Sequence, residues 1–299
     1  MTTVAIAGGA GGVGSSLAFN LLLRPEPYDV VVIDRRPEKV LSHVMDLEQV
    51  LTLGNGGSVR KGGCDDVAGA DVVVICAAAP LTENTSRAVY LRDNAAIVAG
   101  LAERLGDALV VMVTNPVDPL CTRLVERHGL DRRRVLGYTL NDSLRLRTAI
   151  AAARDVPAAA VDAYVLGEHG DSAVPVFSRV AVHGERVTLD AAEREQAATF
   201  VRTWYRRHVA LDSRRSSTWT SGAGAARMVA ALVAGTDLWP ASVVLAGEYG
   251  ISGAAVTVPV ALGPGGVERV HEWELAPDEL AALRRAAEAV RAAAGPPGP

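Results

Sequence analysis

Four short runs of apolar residues, at positions 4–7, 30–33, 72–76 and 109–113, carry no polar alternation. A strand covered on one face alternates apolar with polar, whereas a strand buried on both faces does not, so these runs read as strands of a parallel sheet. Longer stretches of helical character separate them. The first starts near Gly12 and stops by Arg24, because Pro25 and Pro27 forbid continuation, and Pro37 stands where a second helix can begin. The order β-α-β-α predicts an α/β fold with a doubly wound parallel sheet of the Rossmann type.

Beyond about Asn141 the texture changes to α+β. A helix through Ala153 is followed by strand candidates at 163–166, 242–247 and 255–262, a hairpin turn at His183-Gly184-Glu185, and helices at 191–208, 222–234 and 278–293. This divides the chain into residues 1–140, a dinucleotide-binding half, and 141–299, a substrate half. No low-complexity linker parts them, so intimate contact is expected, and the Pro- and Gly-rich tail from about 294 is expected to be disordered.

Composition narrows the function. With 299 residues, 49% of them hydrophobic, the chain can bury a large core, and a net charge of −4 without a basic run argues against a nucleic-acid or membrane-surface role. A small-molecule partner is expected. Three scattered cysteines, Cys64, Cys76 and Cys121, cannot close a disulfide framework, and with no leader-like or spanning segment they point to a cytoplasmic protein. His43, His128, His183, His208 and His271 show no ligand spacing, so no metal is expected, and Cys76 at a strand end reads as a small buried side chain.

Two features carry chemistry. Between the first strand and first helix lies Gly8-Gly9-Ala10-Gly11-Gly12-Val13-Gly14, whose glycines let the backbone approach a pyrophosphate at a helix N-terminus. A glycine turn alone can be purely structural. Asp34, which ends the second strand 34 − 14 = 20 residues beyond Gly14, strengthens the case, since an acid there accepts hydrogen bonds from the adenosine ribose. Gly8, Gly11, Gly12, Val13, Gly14 and Asp34 are therefore the cofactor candidates. Asp34 also repels a 2′-phosphate, which favours NAD over NADP, although Arg35 and Arg36 follow it directly.

The second feature is Val165-Leu166-Gly167-Glu168-His169-Gly170-Asp171-Ser172. Here the chain resembles the malate and L-lactate dehydrogenase family over nearly its whole length, and its glycine spacing is closest to mitochondrial-type malate dehydrogenases. The resemblance implies that His169 is the acid/base, that Asp142 in Asn-Asp-Ser-Leu-Arg is its carboxylate partner and that Arg145 grips the substrate carboxylate. It likewise makes Arg87 the loop arginine that polarises the carbonyl, and places Asn115 of Thr-Asn-Pro-Val-Asp near the reacting oxygen and the cofactor. It also implies a homodimer or homotetramer. Taken singly, the histidine can close a loop, Asp142 can cap a helix and the arginines can face water.

The substrate loop Pro80-Leu81-Thr82-Glu83-Asn84-Thr85-Ser86-Arg87 departs from the family. Malate dehydrogenases place an arginine where Leu81 stands and lactate dehydrogenases a glutamine. A second carboxylate enclosed without a cation would cost several kcal/mol, so oxaloacetate is expected to be a poor substrate. Two readings stay open for the distal group: an apolar tail against Leu81, giving lactate-like or branched-chain specificity, or an anion such as a phosphonate held by Thr82, Thr85, Ser86 and Arg214 or Arg215, ahead of the pocket wall at Ser216 and Ser217. An ordinary malate dehydrogenase and a catalytically silent NAD-binding regulator are the alternatives.

Overall fold

The computed structural model describes residues 1–54, 56–80, 87–211, 216–296 and 298. Leu81, Thr82, Thr85, Ser86, Arg214, Arg215 and the side chain of Arg87 lie outside the described residues. The first half runs β1 (Thr2–Ala7), α1 (Gly12–Leu22), β2 (Tyr28–Ile33), α2 (Pro37–Val50), β3 (Ser58–Lys61), β4 (Val72–Ile75), α3 (Arg87–Ala102), β5 (Leu109–Met112), α4 (Val117–Glu126) and β6 (Val135–Tyr138). The six strands among its described residues are parallel in the order β3-β2-β1-β4-β5-β6. The chain thus winds outward twice from β1, first through β2 and β3, then through β4 to β6. The crevice between β1 and β4, at the strands' C-terminal edge, is where open sheets of this kind bind ligands.

The apolar runs are strands buried on both faces. Val4, Ile6, Val30, Val32, Val72 and Val74 pack on one side with Leu17, Leu21 and Val229, while Ala5, Val31, Val73 and Val110 pack on the other with Leu101 and Leu120. Successive side chains of a strand point to opposite faces, so one run feeds two cores. Helix α1 ends at Leu22, two residues before the expected stop, and Pro37 occupies the first turn of α2.

The second half adds α5 (Leu140–Arg154), β7 (Val161–Asp162), β8 (Val165–Gly167), β9 (Ala173–Pro175), β10 (Ala181–Val182), β11 (Glu185–Arg186), α6 (Ala191–Ala210), α7 (Thr218–Ala234), β12 (Thr236–Ala246), β13 (Ser252–Gly263), β14 (Gly266–Val270) and α8 (Pro277–Ala294). Of the expected strand at 163–166 only the last two residues are strand, in β8, with the short β7 ending just before it, and the strand expected at 242–247 starts at Thr236 and runs through Pro240, which faces Pro259 of β13. His183 and Gly184, both at positive φ, turn β10 into β11, the geometry a two-residue hairpin needs.

The two halves share one sheet. β12 pairs antiparallel with β6, Ala241 opposite Tyr138 and Ser242 opposite Gly137, and the sheet continues through β13 to β8 and β9. Helix α7 lies on α1, and a Cβ on Gly222 or Gly224 would overlap Ser16 or Tyr138. Of the tail, the Ala294 carbonyl accepts bonds from Arg123 and Arg127, and the Gly298 N–H donates to the Glu126 carbonyl.

Candidate active site

The glycine turn is laced to the second strand. The N–H groups of Gly8 and Gly9 donate to the Ile33 carbonyl at 2.8 and 2.9 Å, which sets the turn beside Asp34. Gly8 sits at φ +85°, and a Cβ there would lie 2.5 Å from the Ala77 nitrogen; one on Gly14 would lie 2.5 Å from the Gly8 carbonyl oxygen. Gly11 is the N-cap of α1, with no side-chain cap and no acid in the first turn, so the amides of Gly12, Val13 and Gly14 face an uncapped, electropositive helix end. That cradle fits a pyrophosphate, and it leaves no room for a side chain at Gly8 or Gly14. Thr218 closes over Gly12, and Ser217 stands just before it as the N-cap residue of α7.

The Asp34 side chain is 8% exposed and is already engaged. Arg36 donates through Nε to one carboxylate oxygen at 3.1 Å and through Nη2 to the other at 3.4 Å, and its backbone N–H adds a bond of 3.2 Å. Burial works to raise the pKa of Asp34, but these bonds and the charges of Arg36 and Lys39 outweigh it and hold the carboxyl below its ordinary value.

Beyond β5 the chain passes Thr114, whose hydroxyl donates to the carbonyls of Ile75 and Ala77, and reaches Asn115. The Asn115–Pro116 peptide is cis, and the Asn115 carbonyl accepts a 2.6 Å bond from Asn94, a fully buried amide on α3 whose oxygen in turn accepts the Ala79 N–H. One amide therefore ties the end of β5 to the segment after β4.

His169, Asp142 and Arg145 come together from two elements. Asp142 and Arg145 lie three residues apart on α5, so they share a face, and His169 follows β8. His169 Nδ1 is 2.5 Å from Asp142 Oδ2, while Arg145 Nη1 donates to Asp142 Oδ1 at 2.7 Å. All three side chains are largely buried, with 17%, 9% and 13% exposure. Burial would lower the basicity of His169, yet the adjoining Asp142 charge and hydrogen bond, with the charge of Asp118, raise it above its ordinary value. Asp142 shows the reverse balance, its carboxyl lowered against the effect of burial by His169 and Arg145.

Several residues that patterning did not single out complete this framework. Asp118, 1% exposed in the first turn of α4, accepts the His169 backbone N–H at 2.7 Å and the Ser242 hydroxyl at 2.5 Å, and burial pushes it up to about 6. It belongs to the Thr-Asn-Pro-Val-Asp segment, but an acid at a helix start is commonplace and gave no separate signal. Trp204 of α6 presents its ring 4.2 Å from the Arg145 guanidinium and stacks on His208. Burial pushes the Cys76 thiol up to about 12, which leaves no thiolate for nucleophilic work near neutral pH.

An imidazolium held against one carboxylate, beside an arginine with N–H groups to spare, suits proton delivery to an oxygen next to a carboxylate. Joined to a dinucleotide turn on the same sheet, that is the chemistry of a dehydrogenase acting on a carbonyl acid. Comparison with known proteins agrees. The lactate/malate dehydrogenase NAD-binding domain model matches residues 2–137, and the lactate/malate dehydrogenase alpha/beta C-terminal domain model matches residues 139–294. The chain is 38% identical to a malate dehydrogenase of Halobacterium salinarum over 98% of both chains, and 30% identical to an L-lactate dehydrogenase of Gloeobacter violaceus over 95% of this chain and 90% of that one. The solved malate dehydrogenase of Aeropyrum pernix superposes with a TM-score of 0.90 at 30% identity, covering 97% of each chain. This chain belongs to the lactate/malate dehydrogenase family and is an NAD-dependent 2-hydroxyacid dehydrogenase. No helix among the described residues is long and apolar enough to cross a membrane.

Proposed function

We propose that the chain interconverts a 2-keto acid and an (S)-2-hydroxy acid whose distal group is not the bare carboxylate of oxaloacetate. The observation behind the reaction is the sharing of Asp142, one oxygen on His169 and the other on Arg145. Asp142 fixes the imidazole tautomer, so Nε2 is the nitrogen that faces substrate, and its charge favours the protonated ring. Arg145 spends one N–H on Asp142 and turns the rest of its fork toward the substrate carboxylate, with Trp204 stacked at its side. Arg87 polarises the carbonyl and Asn115 stands by the reacting oxygen. Gly8, Gly11, Gly12, Val13 and Gly14 hold the pyrophosphate, and Asp34 the adenosine ribose.

NAD, when bound, supplies or accepts the hydride. In reduction the imidazolium of His169 gives its proton to the oxygen on which charge develops; in oxidation the neutral ring removes the hydroxyl proton. Arg145 and His169 between them set which face of the carbonyl is presented.

Leu81 supports the distal-group reading, because it offers no cation for a second carboxylate. The substrate is then either a 2-keto acid with an apolar tail or a phosphonate analogue held by Arg214 or Arg215. The malate dehydrogenases among the relatives favour oxaloacetate instead. The test is kcat/KM with NADH for oxaloacetate, pyruvate, a branched 2-keto acid and phosphonopyruvate in wild type, Leu81→Arg and Arg215→Ala. Leu81→Arg is expected to raise oxaloacetate turnover about ten- to a hundred-fold, the worth of a charge-assisted bond of about 1.5–3 kcal/mol, and to weaken an apolar-tailed substrate. Arg215→Ala cripples phosphonopyruvate reduction if the distal group is a phosphonate. Efficient oxaloacetate reduction by the wild type sinks the reading of Leu81. The assembly is proposed to contain two or four copies, which light scattering on the purified protein decides.

A further inference from the structure

Asp34 has a neighbour that the assigned cofactor does not require. An acid at the end of β2 excludes a 2′-phosphate because it presents an uncompensated negative charge where that phosphate must lie. Here the charge is compensated. Arg36 grips both oxygens of Asp34 side-on, through Nε and Nη2. A guanidinium carries five N–H groups, so 5 − 2 = 3 remain, those of Nη1 and the second of Nη2, and the Arg36 side chain is 51% exposed. The clamp therefore neutralises the carboxylate and at the same time offers outward donors beside it.

The surroundings carry the same sign. Arg35 and Arg36 follow Asp34 directly, and Lys39 in the first turn of α2 is near enough to act on the Asp34 carboxylate. Glu38 is the acid of that turn. The segment from 34 to 39 thus sets three cations against two acids. A phosphate dianion is matched by a planar fork with parallel N–H groups better than by a point charge. A neutral ribose needs none of this, since the free lone pairs of Asp34 suffice for its hydroxyls.

We infer that the adenosine-ribose end of the site accepts a 2′-phosphate on the outer edge of Arg36, so that NADP(H) serves as a second hydride carrier beside NAD(H). The inference rests on the proposed reading that Asp34 faces the ribose. Arg36 bridges Asp34 and the phosphate, keeping its bonds to the carboxylate while its remaining N–H groups take the phosphate oxygens. NADH stays the better carrier, because the carboxylate remains in place and each ribose hydroxyl lost to phosphate is one fewer donor to it.

Two measurements test this on the full chain: nucleotide binding by the fluorescence of NADH and NADPH, and kcat/KM for each with the best 2-keto acid of the panel, in wild type and Arg36→Gln. Wild type is expected to use NADPH within about a hundred-fold of NADH, and Arg36→Gln to widen that gap at least about ten-fold, the loss of one charge-assisted contact. A wider gap in the wild type, or a ratio left unchanged by Arg36→Gln, overturns the inference. Failure of both nucleotides to bind would instead overturn the assignment of the glycine turn and Asp34. Because Arg36 is exposed at a helix start, its replacement leaves the buried sheet intact, and the circular dichroism spectrum of the variant confirms that directly.

Discussion

His169 is held from two directions, its ring by Asp142 and its backbone N–H by Asp118, and the two carboxylates do different work. Asp142 supplies the direct ion pair. Asp118, sealed under Ser242, fixes where the loop after β8 begins and adds negative charge behind the ring. His169→Ala is expected to cut kcat by about 10²–10⁴, the usual worth of a positioned general acid, while NADH titration by fluorescence still shows binding. Wild-type keto-acid reduction should fall as pH rises through the raised value of His169, since in the proposed mechanism the protonated ring is the donor. Asp118→Asn keeps an acceptor for the backbone N–H and removes the charge, so the alkaline limb of that profile moves to lower pH. Below about 6, where Asp118 itself is protonated, the two profiles converge. An unshifted limb would make Asp118 a purely structural clamp.

At the scale of elements, the glycine turn depends on how α1 is seated. Helix α7 presses on α1, and Gly222 permits the approach, since a Cβ there overlaps the side chain and backbone of Ser16. Gly222→Ala forces the helices apart, with an expected loss of about 1–3 kcal/mol in urea denaturation and weaker NADH binding, because the N-terminus of α1 shifts with the helix. Gly100 in α3 is the contrasting case: among the described residues no neighbouring side chain or other element lies within 4 Å of its added Cβ. Gly100→Ala should therefore stabilise by about 0.5–1 kcal/mol through helix propensity alone. The first glycine is an inter-helix contact and the second is not, yet both sit in helical stretches with nothing in the local sequence to tell them apart. The turn at Gly8 to Gly14 was legible because its spacing is a motif; Gly222 was not, because its partner lies two hundred residues away.

For the whole molecule, stability should follow the shifted groups. Asp142, Asp34 and Glu248 are all held below their ordinary values. Each contributes stability that is present above the unfolded value and lost as pH falls through the lower folded value. His169 runs the other way, contributing fully below its ordinary value and losing that contribution as pH climbs through the raised one. Thermal melts from pH 3 to 9 should show Tm declining at both ends, and in Asp142→Asn, where the partner of His169 loses its charge, the alkaline decline should shrink. The parallel half of the sheet, its glycine turn, Asp34 and the residues of the two motifs were set by the sequence, because unbroken apolar runs and fixed spacings act over a few residues. The joining of both halves into one sheet through β6 and β12, the second carboxylate on His169, the indole on Arg145 and the clamp of Arg36 on Asp34 were decided by tertiary structure. Most of these arise where segments far apart in sequence meet in the fold, and the last from a side-chain geometry that spacing leaves open; burial and hydrogen-bond satisfaction, which select such contacts, are properties of the packed chain and not of any stretch of it.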